Sequence, residues 1–213
     1  MFKETSVSQA KNIRLSQLAE KIFQGLYPSR KNGKISLSKN VPAINIKNIV
    51  DGRIDIEAPC LISVDSHRHL EKYTVRSGDV VVTCRGTVLK SAVVPESLDG
   101  YLIASNLIAI RLNGNFEPIF LSAFFQSPEG QKILLSNVRS STRQIALTVS
   151  DIEKIEVPLI PVEIQKRLAG LISAADNCYR AAVESANLRR DIAYSIALKS
   201  FMQSSNQLEV KVE

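Results

Sequence analysis

The sequence has no tryptophan, two histidines, two methionines and three cysteines. Cys60, Cys84 and Cys178 are odd in number and far apart, which excludes a closed disulfide framework and a CxxC metal clip; they read as reduced structural thiols. His67 and His69 flank Arg68, and the nearby Asp65 and Glu71 complete a metal site poorly, so this segment reads as an exposed loop. No run approaches the ~18 consecutive apolar residues that a bilayer span requires, and MFKETSVSQAKN lacks the apolar core of a signal peptide. The chain is therefore expected to stay soluble, cytoplasmic and away from membranes. With 45% hydrophobic and 23% charged residues in 213, it is neither wholly disordered nor collagen-like.

Catalytic signatures are equally scarce. GxSxG, HExxH, a cysteine with a plausible paired histidine and a nuclease-type carboxylate cluster are all missing. Gly86-Thr87-Val88-Leu89-Lys90-Ser91 ends like a phosphate loop, but Leu89 stands where that motif needs its second glycine. Nothing here supports an enzyme.

What the sequence does have is an uneven charge distribution. The net charge is +6, yet residues 1–90 carry 15 Lys/Arg against 8 Asp/Glu, residues 91–158 carry 5 against 7, and residues 159–213 carry 7 against 6. The basic excess lies in the first half, the pattern of an N-terminal domain with one face turned to a polyanion; a plain solvated surface is the alternative.

Along the chain, Leu15, Leu18 and Ile22 have helical spacing within Asn12–Phe23, which Gly25 and Pro28 terminate. Residues 27–40 form a polar, basic loop. Alternation from Pro42 to Val50 predicts a strand, Asp51-Gly52 a turn, and Arg53–Ile56 its hairpin partner. Ser77-Gly78-Asp79 is a turn before the buried-type strand Val80–Cys84, and Lys90–Val94, Leu102–Ala104 and Leu107–Arg111 extend the sheet. Pro118–Leu135 is helical with a break at Ser127-Pro128. Residues 136–150 are polar, and Asp151–Pro158 reads as a last β-like run.

Beyond Pro158 and Pro161 the sequence changes character. From Glu163 to about Gln203 there is no proline and much alanine, and Ile164, Leu168, Leu171, Ala175, Cys178 and Ala182 follow one another at alternating spacings of four and three. This is the heptad signature of a long helix packed against another helix; past Ser185 it weakens, running through Ala186, Arg189, Ala193 and Ile196. The expected organisation is α+β: a globular mixed α/β domain (1–158), a long coiled-coil-like helix (159–203) and a flexible tail (204–213).

Several side chains suit a nucleic acid. Arg30, Lys31 and Lys34 lie in a polar loop with hydroxyl and amide neighbours, a mixture that binds phosphate oxygens. Lys47, Arg53 and Lys90 add positive charge in the same half. Arg85 follows a buried strand and precedes Gly86, at a rim where backbone can come close to a ligand. Ser141, Thr142, Arg143 and Gln144 include Arg and Gln, which pair bidentately with guanine and adenine edges. A solvated loop is the alternative for each.

These positions also carry a resemblance to the specificity subunits of type I restriction-modification systems. It covers most of residues 12–170. Asn12–Ala19 with Gly25-Leu26-Tyr27-Pro28-Ser29-Arg30 resembles the family's opening helix and Gly-x-x-Pro-Ser-Arg element. Pro42–Ile54 is similar to its Pro-x-Ile-x-x-x-Asp-Ile-x-x-Gly stretch, and Ser77–Val88 to its Gly-Asp-(apolar)-Arg-Gly-Thr-(apolar) strand. Ala104–Leu107, Ser127-Pro128-Glu129-Gly130-Gln131 and the Ser-Ser-Thr loop at 140–142 follow in order. Val157–Ala169 resembles the Pro-hydrophobic-Pro, Glu-x-Gln-x-Arg junction into the family's long helix. The chain departs from the pattern at Leu89, where glycine is usual, at Ala43, where an aromatic is common, and at Tyr27, which replaces a threonine.

The resemblance implies a target-recognition domain that engages double-stranded DNA, and a helix that acts as spacer and docking surface for a DNA methyltransferase subunit, with a restriction subunit as a further partner. A standard subunit has two such domains and two long helices, whereas this chain has room for one of each. A homodimer formed through the helix stripe, reading an interrupted palindrome, is the expected form. The chain itself is expected to need no cofactor and to perform no catalysis, S-adenosylmethionine being held by the methyltransferase. The alternative is a stand-alone sequence-specific DNA-binding regulator.

Overall fold

A computed structural model describes residues 11–27, 38–55, 60–65, 69–136 and 145–209. The chain divides into two compact units, Met1–Ala169 and Gly170–Glu213. In chain order the elements of the first are β1 (Asn12–Arg14), α1 (Leu15–Leu18), β2 (Ala19–Gln24), β3 (Ser38–Ile44), β4 (Ile49–Val50), β5 (Arg53–Ile54), β6 (Cys60–Asp65), β7 (Val80–Thr83), β8 (Arg85–Gly86), β9 (Ser91–Val93), β10 (Leu102–Ile103), β11 (Leu107–Leu112), α2 (Pro118–Gln126), α3 (Pro128–Ser136), β12 (Ile145–Ala146), α4 (Val149–Glu153) and β13 (Glu156–Pro158). The long helix α5 spans Val162–Glu209.

The central sheet has the order β2-β11-β7-β9, antiparallel throughout. Its two inner strands carry apolar runs, Val80–Val82 and Leu107–Ile110, because both faces are covered there. Val80, Val82, Ile108 and Ile110 point into one core with Leu15, Leu18, Leu121, Phe125, Leu134 and Ile152. Val81, Leu107 and Ala109 point into a second with Phe23, Ile44, Ile49, Val75 and Ile103. The period of two along each strand thus divides one hydrophobic run between two cores. A smaller sheet, order β10-β3-β6, has β10 parallel and β6 antiparallel to β3, and buries Leu26, Ala43, Ile62 and Val64.

The helix expected over Asn12–Phe23 is a single turn, Leu15–Leu18, after which the chain becomes β2. Ile22 pairs with Ile110 and Phe23 with Ala109. Consecutive side chains thereby reach opposite cores, which a strand permits and a helix does not. The strand expected from Pro42 to Val50 begins earlier, at Ser38, and is interrupted by a 3₁₀ turn over Ile46–Asn48. There Asn48 Oδ1 accepts from Asn45 N (2.9 Å) and Asn48 Nδ2 donates to Asp55 O (3.2 Å). The β-like run from Asp151 is also corrected. Asp151 sits in α4, where its Oδ2 accepts from Thr148 N (3.0 Å) and Oγ1 (2.7 Å), and Thr148 Oγ1 accepts from Asp151 N (3.2 Å). This reciprocal cap starts the helix, and only Glu156–Pro158 is extended.

The Asp51-Gly52 hairpin is present. Ile49 pairs with Ile54 and Val50 with Arg53, and both turn residues have positive φ, 46° and 74°. The helical break at Ser127-Pro128 is present too: Ser127 Oγ accepts from Gly130 N (3.1 Å) and so caps α3. Gly130 is required there, since a Cβ would lie 1.9 Å from Phe124 O. β1 pairs antiparallel with β13, bringing the start of the domain beside the segment that leads into α5.

The first turns of α5 belong to the globular unit. Gln165 is fully buried; its Oε1 accepts from Glu117 N (2.8 Å) and its Nε2 donates to Ile160 O (2.7 Å). Ala169 is buried as well. α5 runs 48 residues, ~72 Å at 1.5 Å per residue, and continues to Glu209, beyond the Gln203 at which the sequence reading ends it. From Gly170 to Met202 most of its large apolar side chains are exposed, Leu171 at 67%, Leu188 at 61% and Ile196 at 60%. No helix of the described residues is long and apolar enough to cross a membrane.

Candidate nucleic-acid interface

The basic residues singled out in the sequence divide into two groups. Arg30, Lys31 and Lys34, and likewise Ser141, Thr142, Arg143 and Gln144, lie outside the described residues. The others gather around β8. Arg85 is exposed on β8, which pairs with β12 through Ala146↔Arg85 and Ile145↔Gly86. Ile145 and Ala146 therefore lie directly beside Gly86 and Arg85 in this ladder.

Gly86 has φ 141° and faces Ile46, whose Cδ1 would lie 3.3 Å from an added Cβ. Lys47 follows Ile46 and is exposed; Arg53 is half-buried on the adjoining hairpin. Lys90 is half-buried and donates from Nζ to Ile49 O (2.6 Å), which fastens β4 to the strand end beyond β8. No helix follows Lys90; Ser91 begins β9. The Gly86–Ser91 segment is thus not a phosphate loop, in line with the missing second glycine.

Three residues at this rim, Tyr27, Gln24 and Asn106, are not among the DNA contacts expected from the sequence. The Arg85 guanidinium lies over the Tyr27 ring, with Cζ 5.3 Å from the ring centroid. Gln24 Nε2 donates to Ser105 O (2.8 Å) and approaches Tyr27 Oη (3.5 Å) and Cys84 Sγ (3.6 Å). Asn106 Nδ2 donates to Asn45 Oδ1 (3.0 Å), and the Asn106 carbonyl accepts from Cys84 N and Arg85 N. Burial pushes the Cys84 thiol up to about 11, against the opposing pull of the Arg85 charge and the Gln24 hydrogen bond. At neutral pH it is an inert neutral thiol.

Among the described residues no three His, Cys, Asp or Glu side chains are placed to hold a metal. What the rim offers is positive charge and a guanidinium lying over an aromatic ring. Groups of this kind are chemically suited to phosphates and base edges.

On α5, Ile164, Leu168 and Leu171 are exposed, as are the small side chains of Ala175, Cys178 and Ala182. The heptad positions therefore form an uncovered stripe. Leu188, Ile192 and Ile196 form a second apolar strip, bordered by Asp191 and Lys199.

Residues 8–185 match the family model described as type I restriction modification DNA specificity domain. A Methanocaldococcus jannaschii protein named for the MjaX type I restriction enzyme specificity subunit is 24% identical over 184 residues, covering 83% of this chain and 42% of that protein. The EcoBI specificity subunit of Escherichia coli is 23% identical over 172 residues, covering 78% and 35%. The chain thus spans less than half the length of the curated relatives it matches. Among solved structures, the HsdS subunit from Thermoanaerobacter tengcongensis superposes with a TM-score of 0.59 at 25% identity, over 81% of this chain and 43% of that one. The fold is thus shared with that solved structure, and the chain belongs to the type I restriction-modification DNA specificity family.

Proposed function

We propose that this chain is the DNA-reading component of a type I-like restriction-modification system and performs no catalysis itself. The observation that carries the proposal is the family match over residues 8–185, supported by the exposed Arg85 on β8 and by Lys90, whose Nζ donates to Ile49 O nearby. In this reading Arg30, Lys31, Lys34, Lys47, Arg53 and Lys90 grip phosphates with help from the Ser141 and Thr142 hydroxyls, while Arg85, Arg143 and Gln144 contact base edges. Affinity then falls with salt, with a log–log slope of about 0.9 per neutralised phosphate.

One recognition domain reads one half-site. The exposed stripe Ile164, Leu168, Leu171, Ala175, Cys178 and Ala182 pairs with a second copy, giving a homodimer that reads an interrupted palindrome. The helices also dock a DNA adenine methyltransferase subunit, which holds S-adenosylmethionine, and a restriction subunit joins the same assembly.

The test is co-expression with a methyltransferase encoded beside this chain. Adenine methylation confined to an interrupted palindrome, and absent without this chain, is the expected outcome. A compact monomer that ignores duplex DNA in dilute buffer overturns the proposal.

A further inference from the structure

We propose that Tyr27 is a positioning residue that fixes Arg85 for reading a guanine, an assignment that rests on the DNA-reading function proposed above. Tyr27 and Arg85 arrive from different elements. Tyr27 follows β2 just past the point where Leu26 N is tied to Ile103 O, and Arg85 opens β8 where its own N is held by Asn106 O. Both backbones are anchored, yet both side chains are exposed. The guanidinium lies over the ring at 5.3 Å, and Gln24 Nε2 approaches the ring's hydroxyl from a site it already shares with Ser105 O.

Arg14, Arg111 and Arg190 have the carboxylates of Glu156, Asp79 and Asp191 as neighbours, whereas Arg85 has an aromatic ring. Among the described residues no side-chain hydrogen bond or ion pair engages Arg85; only the ring does. A guanidinium held over an aromatic ring with no carboxylate neighbour keeps its N–H donors available to a ligand, and that fork matches the O6 and N7 acceptors of guanine. A phosphate contact needs charge alone and is served by a swinging side chain. Base reading needs a fixed plane, because a fork that rotates freely forfeits the directional pairing on which discrimination depends.

The experiment uses the full chain with duplexes randomised over a central segment, selected at low salt, with wild type, Tyr27→Phe, Tyr27→Leu and Arg85→Lys in parallel. Wild type and Tyr27→Phe are expected to enrich the same motif. Tyr27→Leu and Arg85→Lys are expected to lose about tenfold or more of the preference for guanine at one position, keeping the others. Melting temperatures of the four proteins, measured alongside, should coincide. Replacing that guanine by 7-deazaguanine in the enriched duplex should weaken wild-type binding by a similar factor and Arg85→Lys binding little.

An unchanged motif for Tyr27→Leu overturns the inference. So does uniform weakening across all sequences, which marks a phosphate contact, or indifference to 7-deazaguanine. A wild type that binds no duplex overturns the DNA-reading function itself, an outcome distinct from selection that succeeds without Tyr27.

Discussion

Arg111 grips Asp79 with two parallel hydrogen bonds, Nε to Oδ1 at 3.0 Å and Nη2 to Oδ2 at 2.8 Å, across neighbouring strands of the central sheet. Asp79 also accepts from Arg76 N (2.8 Å), so the carboxylate closes the Ser77-Gly78 turn while it holds β11. The two side chains keep 12% and 2% of their surface, and the hydrogen bonds to Asp79 raise the Arg111 pKa above its ordinary value. Removing one partner strands a buried charge. Asp79→Ala should lower unfolding stability by about 3–5 kcal/mol in urea titrations, and Asp79→Asn, which keeps an acceptor for Arg76 N, should lower it less. Equal stability of Asp79→Ala and wild type would show that the pair contributes nothing.

Gly25 sits where β2 crosses the end of β10, and a Cβ there would lie 2.2 Å from Ala104 O and 2.4 Å from Ile103 O. Backbone cannot yield as a flexible side chain does. Gly25→Ala should cost several times more than Gly78→Ala, whose site is spatially open and bears only the strain of φ +85°, about 1 kcal/mol. Paired thermal melts of the two variants decide this.

The raised Cys84 pKa has a definite sign in the pH dependence of stability. The folded value of about 11 lies above the ordinary 9.0, so the neutral thiol's contribution is complete below pH 9 and lost as pH rises towards 11. The difference in unfolding free energy between wild type and Cys84→Ala should narrow over that window and stay constant between pH 6 and 8. In the folded protein, iodoacetamide at pH 8 should alkylate the exposed Cys178 and spare the buried Cys84. Rapid labelling of Cys84 would contradict its burial.

Gln165 joins two backbone groups at the root of α5. Gln165→Ala leaves Glu117 N and Ile160 O without their partner, at about 1–3 kcal/mol each. Hydrogen exchange should accelerate at the start of α5 and at Glu117, with the central sheet unaffected; unaltered exchange there would refute the role.

The apolar stripe of α5 gives a test by sedimentation. The double substitution Leu168→Glu and Leu171→Glu should convert a micromolar dimer into monomers while far-ultraviolet circular dichroism of the globular unit persists. A wild type already monomeric at that concentration would remove the second copy from the proposed assembly.

The features legible in the sequence were those fixed by near neighbours. Val80–Thr83 is unbroken and apolar because both its faces are buried, Asp51-Gly52 carries the positive φ of its turn locally, and Ser127-Pro128 stops one helix and caps the next. The misread segments are those decided at a distance. Leu15, Leu18 and Ile22 have helical spacing, but β11, far along the chain, offers hydrogen bonds that draw Ala19–Gln24 into a strand. At Asp151 the sequence pattern showed alternation, whereas the reciprocal bonds with Thr148 prevail. Arg85 was identifiable from its position before Gly86. Its platform was not, since nothing near Tyr27 in sequence indicates that a guanidinium will lie on it.

The β1–β13 ladder makes the recognition unit a closed cassette. Leu159 N donates to Lys11 O at 2.9 Å, so the chain enters and leaves at adjacent points. A different reader could be spliced between those points while the root of the α-helix kept its bonds to Ile160, provided the incoming unit offers a backbone N–H in the place of Glu117. Whole units could then be exchanged with the long helix left as it is.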